Sequence, residues 1–326
     1  YKMIFNKIKL NYNIKIIDDF FSNKQYKKVN QLLQDKRSDP NLFYSLTNYV
    51  YQKYLIHNSH NNFFDKKFIW VVSYDLDDTI YINKFLNEYL ASQEISFIQD
   101  NYKDYYSKNM SVLNLNQFPK KLNFDELVAY SQLLQNILLL NDKSQYFIMS
   151  TKAAFYEAPD NKFLIYPNTS LTFLSIIRNP LTLYRKYKSV SVNNQDALNK
   201  LINFSLSDVE NENYNSPMTH SLIENSQNWN ANTKSWSDEN VKNTFRGKQI
   251  RYEDLIQNTN DILVEIVYHL KQSGMNIDVD FDLIKKFVDE NTLTEENFSQ
   301  DESSSEIKML TNNLDRDLLE EFKYQI

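Results

Sequence analysis

The stretch that most restricts the fold runs from Phe68 to Ser92. Phe68-Ile69-Trp70-Val71-Val72-Ser73-Tyr74 is a short, β-rich apolar run without polar alternation. Such a run reads as a strand buried on both faces. A polar turn follows, Asp75-Leu76-Asp77-Asp78-Thr79, and then a helix from Ile80 to Ser92 with Phe85, Leu86, Tyr89 and Leu90 on one side. Strand, polar turn and amphipathic helix form the opening unit of an α/β domain. Three more short apolar runs continue the pattern: Gln145 to Ser150, Leu171 to Ile177 and Lys248 to Tyr252. The third strand, Leu171 to Ile177, closes on Arg178-Asn179-Pro180 and leads into a helix from Leu181 to Val190. A helix over Asp261 to Gln272 ends near Gly274, a suitable C-terminal residue. Strands that alternate with helices predict a three-layer α/β sandwich with a central parallel sheet.

The N-terminal part lacks that alternation. Residues 17–56 read as helices, with Ser22 as an N-cap ahead of Tyr26, Val29, Leu32 and Leu33, and a second run from Phe43 to Ile56. We therefore expect a helical cap over residues 1–65 and the α/β domain over 66–326. Further expectations are an amphipathic helix over Asp125 to Leu140, short helices and loops over 193–240, a charged, Ser-rich mobile loop over 294–308, and a last helix from Asp315 to Lys323.

Composition narrows the chemistry. The 326 residues include no cysteine, which excludes disulfides, thiolate metal sites and cysteine nucleophiles. Four histidines make a His-rich metal site a poor fit. The chain has two glycines, where average usage would give roughly 23, so a phosphate-cradling loop built from several glycines is missing. The net charge of −6 disfavours general nucleic-acid binding, which needs a positive surplus. No apolar run approaches the ~20 residues that span a bilayer, and Tyr1 to Lys15 lacks the apolar core of a signal peptide. The expectation is a soluble, cytoplasmic protein.

Four places could carry chemistry. Asp75, Asp77 and Asp78 sit at the C-terminal end of a parallel strand, where ligands bind in open α/β sheets. They either hold Mg²⁺ with Asp75 as a nucleophile, or simply favour a helix N-terminus. Arg178, with Arg185, Lys186 and Lys188 on the next helix, makes the best basic cluster, suited to a phosphate or else a solvated face. Ser150-Thr151-Lys152 ends the second strand and offers a base or an anion contact. Trp229 and Trp236, seven apart, share one helix face and favour core packing.

Taken in order, these segments resemble the cytosolic-type sulfotransferases, a single α/β domain related to the P-loop nucleotide kinases. Phe68 to Leu90 is similar to that family's first strand, phosphosulfate loop and helix. Ile176 to Pro180 resembles its 3′-phosphate turn, Trp229 to Trp236 its paired-Trp helix, and Ile250 to Leu255 its late strand-turn-helix. The resemblance covers about residues 66–322. It implies transfer of a sulfuryl group from 3′-phosphoadenosine-5′-phosphosulfate (PAPS) to a hydroxyl or amine of a small-molecule or glycan acceptor, with no metal. Arg178 and Lys186 would take the 3′-phosphate, Thr79 would stand near the 5′ side, and Lys152, where the family has its catalytic His, would be the base or sulfuryl contact. The family's loop reads Tyr-Pro-Lys/Arg-Ser-Gly-Thr-Thr. Here Leu76 replaces its cation and Asp78 its glycine, and Ser303 to Ser305 stand where a late Arg-Lys-Gly clamp would be. A degenerate, inactive member is one implied outcome.

The same turn also resembles the first motif of haloacid dehalogenase-type phosphatases. In that reading Asp75 is the nucleophile, Asp77 the acid/base, Ser150 or Thr151 the second motif, Lys152 the lysine, and Glu253-Asp254 the later acidic pair. A non-catalytic binding protein on the sulfotransferase-like fold is the third class.

Overall fold

A computed structural model describes residues 2–36, 67–101, 144–153, 169–191, 193–202, 228–294 and 301–326. It also describes positions 39, 42, 45, 46, 49, 50, 53, 135, 155, 157, 158, 162, 163, 165, 167, 298 and 299. Most of the Phe43–Ile56 run, and all of the Asp125–Leu140 helix except Gln135, lie outside these residues.

Five parallel strands form the central sheet: β1 (Phe68–Ser73), β2 (Phe97–Asn101), β3 (Tyr146–Thr151), β6 (Ser170–Ile177) and β7 (Lys248–Arg251), in the order β2-β3-β1-β6-β7. A two-stranded antiparallel ribbon, β4 (Glu157–Ala158) with β5 (Lys162–Phe163), stands apart. All six residues of β1 and all eight of β6 are buried, which is why both read as uninterrupted apolar runs. The edge strand β2, half-buried at every position, gave no such run and was not expected.

Alternation along β1 divides the core. Phe68, Trp70 and Val72 face one side with Phe147, Met149, Phe173, Trp236 and Phe245. The N-terminal helices α1 (Lys2–Ser22) and α2 (Tyr26–Asp35) pack there through Ile17, Phe21, Val29 and Leu33. These helices thus share one core with the sheet. Ser22 closes α1 rather than capping the next helix; its hydroxyl donates to the Asp18 carbonyl at 2.8 Å, one turn back. Ile69 and Val71 face the other side. There α3 (Ile80–Ser92) buries Ile82, Phe85, Leu86, Tyr89 and Leu90, a spacing of three and four that places one apolar stripe on the sheet. Each such fully buried large side chain contributes about 1.5–3 kcal/mol. Helices therefore cover both faces.

A third apolar cluster lies beyond the strand ends. It joins α4 (Pro180–Val190), α5 (Asn194–Ile202), Trp229 of α6 (Trp229–Ser237), α11 (Ser304–Asn313) and α12 (Arg316–Glu321). Between α6 and α11 the chain forms α7 (Glu239–Phe245), α8 (Tyr252–Gln257), α9 (Thr259–Gln272) and α10 (Phe281–Glu290). The expected mobile loop over 294–308 is corrected in part: α11 starts inside it at Ser304. A capping box fixes that start, with the Glu306 amide donating to the Ser303 hydroxyl at 3.3 Å and the Ser303 amide to the Glu306 carboxylate at 2.6 Å.

Candidate functional site

The connection after β1 carries the chain to β2 on one flank, and that after β6 carries it to β7 on the other. Oppositely directed connections mark the switch point of the sheet, at the C-terminal ends of the two neighbouring strands, where open α/β sheets bind ligands. The acidic turn after β1 and the Arg178-Asn179-Pro180 turn after β6 both sit there.

The acidic turn is a single 3₁₀ turn, Leu76–Thr79, capped by Asp75, whose Oδ1 accepts from the Asp77 amide at 3.1 Å. The turn sends its carboxylates in different directions. Asp78 points inward and its Oδ1 meets Arg178 Nη1 at 2.9 Å, with both side chains about 2% exposed or less. Ser73 Oγ donates to the other Asp78 oxygen at 3.3 Å, and the Arg178 guanidinium lies 4.4 Å from the centre of the Tyr252 ring. Burial pushes the Asp78 carboxyl up, to about 7, against the pull of the Arg178 guanidinium.

Asp77 is exposed and Asp75 half-buried, and the two share one cation. Lys186 Nζ lies 2.9 Å from Asp75 Oδ2 and 2.8 Å from Asp77 Oδ2. Burial works against the Lys186 ammonium, but its hydrogen bonds to Asp77 and Asp75 outweigh it and hold the pKa above the usual lysine range.

Helix α4 starts where it does because Asn179 accepts from the Leu181 amide at 2.8 Å and Pro180 takes the first helical position. Glu253 accepts from the Asn179 amide at 2.9 Å and from the Tyr324 hydroxyl at 3.0 Å, and that hydroxyl reaches the Ile177 carbonyl at 2.8 Å. Trp229 Nε1 donates to the Arg178 carbonyl at 3.1 Å. The backbone that presents Arg178 is thus held from three sides.

The basic cluster of α4 is paired throughout. Arg185 holds Glu302 with two hydrogen bonds, 2.5 and 3.2 Å, and Lys188 Nζ stands 3.1 Å from Asp301 and 3.6 Å from Glu306. Together with Lys186, these cations meet carboxylates from the acidic turn and from the segment ahead of α11.

Of the four residues picked from sequence, Arg178 and Lys186 come together with the acidic turn. Thr79 is buried within it; its hydroxyl donates to the Leu76 carbonyl at 2.7 Å and accepts from Asn83 at 3.1 Å. Asn83 also donates to Ser150 Oγ at 2.6 Å, linking the turn to the end of β3. Lys152 lies two residues beyond, on the neighbouring strand end, and its carbonyl accepts from Asn232 of α6 at 2.8 Å. Sequence reasoning missed Asp301, Glu302 and Glu306 as partners. The Ser303-to-Glu306 spacing of a capping box was the available signal.

For the phosphatase reading, Asp75, Asp77 and Asp78 would have to converge. Asp78 instead enters the core while the other two hold Lys186, and Glu253 and Asp254 are engaged by Tyr324 and Arg251. Among the described residues no three His, Asp or Glu side chains are grouped to hold a metal ion, and no helix is long and apolar enough to cross a membrane. Two independent comparisons with known proteins agree on one point: no protein-family model matches the chain, and no characterised protein matches it in sequence.

Proposed function

We propose that this chain is a non-catalytic binding protein on a sulfotransferase-like α/β fold, with its nucleotide site filled by its own carboxylates. The observation that carries this reading is the buried Asp78–Arg178 pair at the C-terminal ends of β1 and β6. In the resembled family the position of Asp78 is a glycine that lets backbone amides reach the 5′-phosphosulfate, and the position of Arg178 meets the 3′-phosphate. Here the one carries a carboxylate, and that carboxylate neutralises the other. Lys186, the second 3′-phosphate candidate, is bound in the same way by Asp75 and Asp77.

The residues present therefore do not fit PAPS. Three carboxylates, Asp75, Asp77 and Asp78, stand here against two cations, Arg178 and Lys186, so a dianionic group would meet cations that are already paired and a negative balance of charge. Leu76 supplies no charge for a transferring sulfuryl group, and Thr79 spends its hydroxyl proton on its own turn. No transfer step is derived for this site.

Calorimetric titration of the full chain with adenosine 3′,5′-bisphosphate tests the reading without knowledge of an acceptor. The expected result is no measurable binding at millimolar ligand and no ligand-dependent rise in Tm. Micromolar affinity, lost in Lys186→Met, would overturn it and restore an active nucleotide site.

A further inference from the structure

Helices α3 and α10 lie side by side and run in opposite directions. Tyr81, in the first turn of α3, donates to the carbonyl of Asn291, just past the end of α10, at 2.9 Å. Tyr89, near the other end of α3, donates to the Asp278 carbonyl at 2.6 Å and accepts from the Asp280 amide at 2.8 Å, just ahead of α10. The two helices are thus tied at both ends. Between the ties lies an open trough of about 180 Å³. Its floor is Phe85, Tyr89, Leu283 and Phe287, with Phe85 edge-on to Phe287 at 5.2 Å between ring centres. Its rim is charged, with Glu88 on α3 and Lys286 and Glu290 on α10. The trough shares no residue with the acidic turn or with the Asp78–Arg178 pair.

Size and charge restrict what can lie there. A cavity of about 150 Å³ takes one benzene ring, and drug-sized ligands need roughly 300–1,000 Å³, so this trough suits a single slender chain and not a nucleotide. Because the helices are antiparallel, Glu88 stands beside the Tyr89 tie and Glu290 beside the Asn291 tie, about 9 Å apart for six residues of helical rise. The Glu88 carboxylate has no ion pair or hydrogen bond among the described residues. Lys286 Nζ lies 3.9 Å from Glu290, and both side chains are more than half exposed, which makes a weak pair. From 278 to 290 the chain carries five carboxylates against two lysines.

We propose that the trough between α3 and α10 binds a linear aliphatic polyamine, with its methylene chain on the aromatic floor and one ammonium group at each of Glu88 and Glu290. The methylenes leave water for an apolar surface, and the ammonium groups meet carboxylates beside aromatic rings. Lys286 already shows the fit, since its own alkylammonium lines the trough and faces one of the two carboxylates. The ligand displaces that ammonium, and the exposure of the pair keeps the displacement easy.

The test is an NMR titration of the full chain, methyl-labelled at leucine, with spermidine. The Leu283 methyl signals should shift and saturate, with an affinity that falls as salt rises. Glu88→Gln and Glu290→Gln should each weaken binding roughly two- to fivefold, the range of an exposed charge pair, and Lys286→Gln should strengthen it by a similar factor. All three side chains are exposed, so these changes spare the core. Glu320→Gln, the same loss of charge at an exposed position of α12, should leave the affinity unchanged. 1,5-Diaminopentane should bind more tightly than n-pentylamine, because a monoamine engages one carboxylate at a time. Absence of a saturable shift at Leu283 overturns the site. So does equal weakening by Glu320→Gln, since the amine is then drawn diffusely to an acidic protein, and so does an affinity that Lys286→Gln leaves unchanged. Equal affinity for the diamine and the monoamine overturns the two-ended assignment.

Discussion

Arg178 and Asp78, one hundred positions apart in the chain, meet at 2.9 Å in the interior with both side chains almost fully buried. A buried ion pair contributes little net stability, because desolvation of both groups consumes most of the attraction. Loss of one partner is costly, because the other is left charged and uncompensated. We therefore expect Arg178→Ala to destabilise the protein by about 3–5 kcal/mol in urea unfolding. The double change Arg178→Met/Asp78→Leu should cost clearly less than the sum of the two single changes. Additive effects in that cycle would show that the pair is not coupled and that Asp78 does not act as the internal anion.

A second relationship fixes how β7 approaches the sheet. A Cβ built on Gly247 would lie 2.0 Å from Phe173 Cζ, with two more ring atoms at 2.1 and 2.6 Å. Phe173 has no room to yield, since it is fully buried with Trp236 at 4.8 Å and Phe245 at 6.4 Å between ring centres. Gly247→Ala should thus overpack the core and cost about 1–3 kcal/mol or more, although most glycine-to-alanine changes in chains of ordinary backbone conformation are mild. The readout is the shift of the urea midpoint. A variant as stable as the wild type would mean that β7 and Phe173 are further apart than described.

The paired tryptophans divide their labour, and mutations should separate them. Trp236 is a packing residue: it sits edge-on to Phe155 and Phe173, at 5.7 and 4.8 Å, and donates to the Ala153 carbonyl at 3.0 Å. Trp236→Ala should cost about 3–5 kcal/mol. Trp229 is a positioning residue, because its indole N–H holds the carbonyl of Arg178. Trp229→Phe keeps most of the buried area but abandons that carbonyl, for an expected loss of about 1–3 kcal/mol. If the indole orders the Arg178 turn, this variant should also weaken the Arg178–Asp78 coupling in the cycle above. An unchanged coupling energy would reduce Trp229 to filler.

How much of this was legible in the sequence depends on where burial is two-sided. β1, β3, β6 and α3 appear within a residue or two of their expected limits, because a fully buried strand or a one-faced helix imprints an apolar pattern directly. β2 left no such imprint, being half-buried throughout. Helix α10, Phe281–Glu290, was missed even though Ile284 and Phe287 are buried at helical spacing. The cations Arg178 and Lys186 were visible as residues, but their partners were not. Charge pairing across 100 positions or more is set by the topology, which brings the ends of β1 and β6 side by side, and local patterning carries no trace of it. Segment 301–306 shows this most clearly. Its acidity suggested a solvated loop, while its carboxylates are spent on α4 and on capping α11.

Half-buried His269 and buried Glu306 shape the response to acid in separate windows, and buried Asp78 opposes the first of them. His269 of α9 packs its Nε2 2.8 Å from Thr172 Oγ1, and that hydroxyl donates to the Arg246 carbonyl at 2.6 Å. Having given its proton to the carbonyl, Thr172 accepts from an Nε2–H, which sets the tautomer of the neutral ring. Burial, helped by the nearby Lys248 charge, lowers the His269 pKa to about 4 from 6.5. The unfolded chain then binds more protons than the folded one between those values, so this contribution is complete above pH 6.5 and is lost as pH falls toward 4. Glu306 acts lower. Burial works to raise its carboxyl, but hydrogen bonds from Tyr184 and Ser303 and the Lys188 ammonium outweigh it, and the pKa falls to about 2 from 4.5. Its contribution is complete above pH 4.5 and is lost as pH falls toward 2. Asp78 acts with the opposite sign: its carboxyl, raised to about 7 from 3.8, makes the folded chain the stronger proton binder between those values, so its cost is relieved as pH falls and offsets the His269 loss. Urea midpoints measured from pH 7.5 to 2.5 should therefore change little between 6.5 and 4 and decline below about 4.5. His269→Gln should leave a midpoint that rises as pH falls between 6.5 and 4, while Glu306→Gln should flatten the decline below 4.5. A His269→Gln profile parallel to the wild type across the upper window would show that the imidazole is solvated and titrates normally, and would remove the Thr172 contact from the account of how α9 is locked onto the sheet.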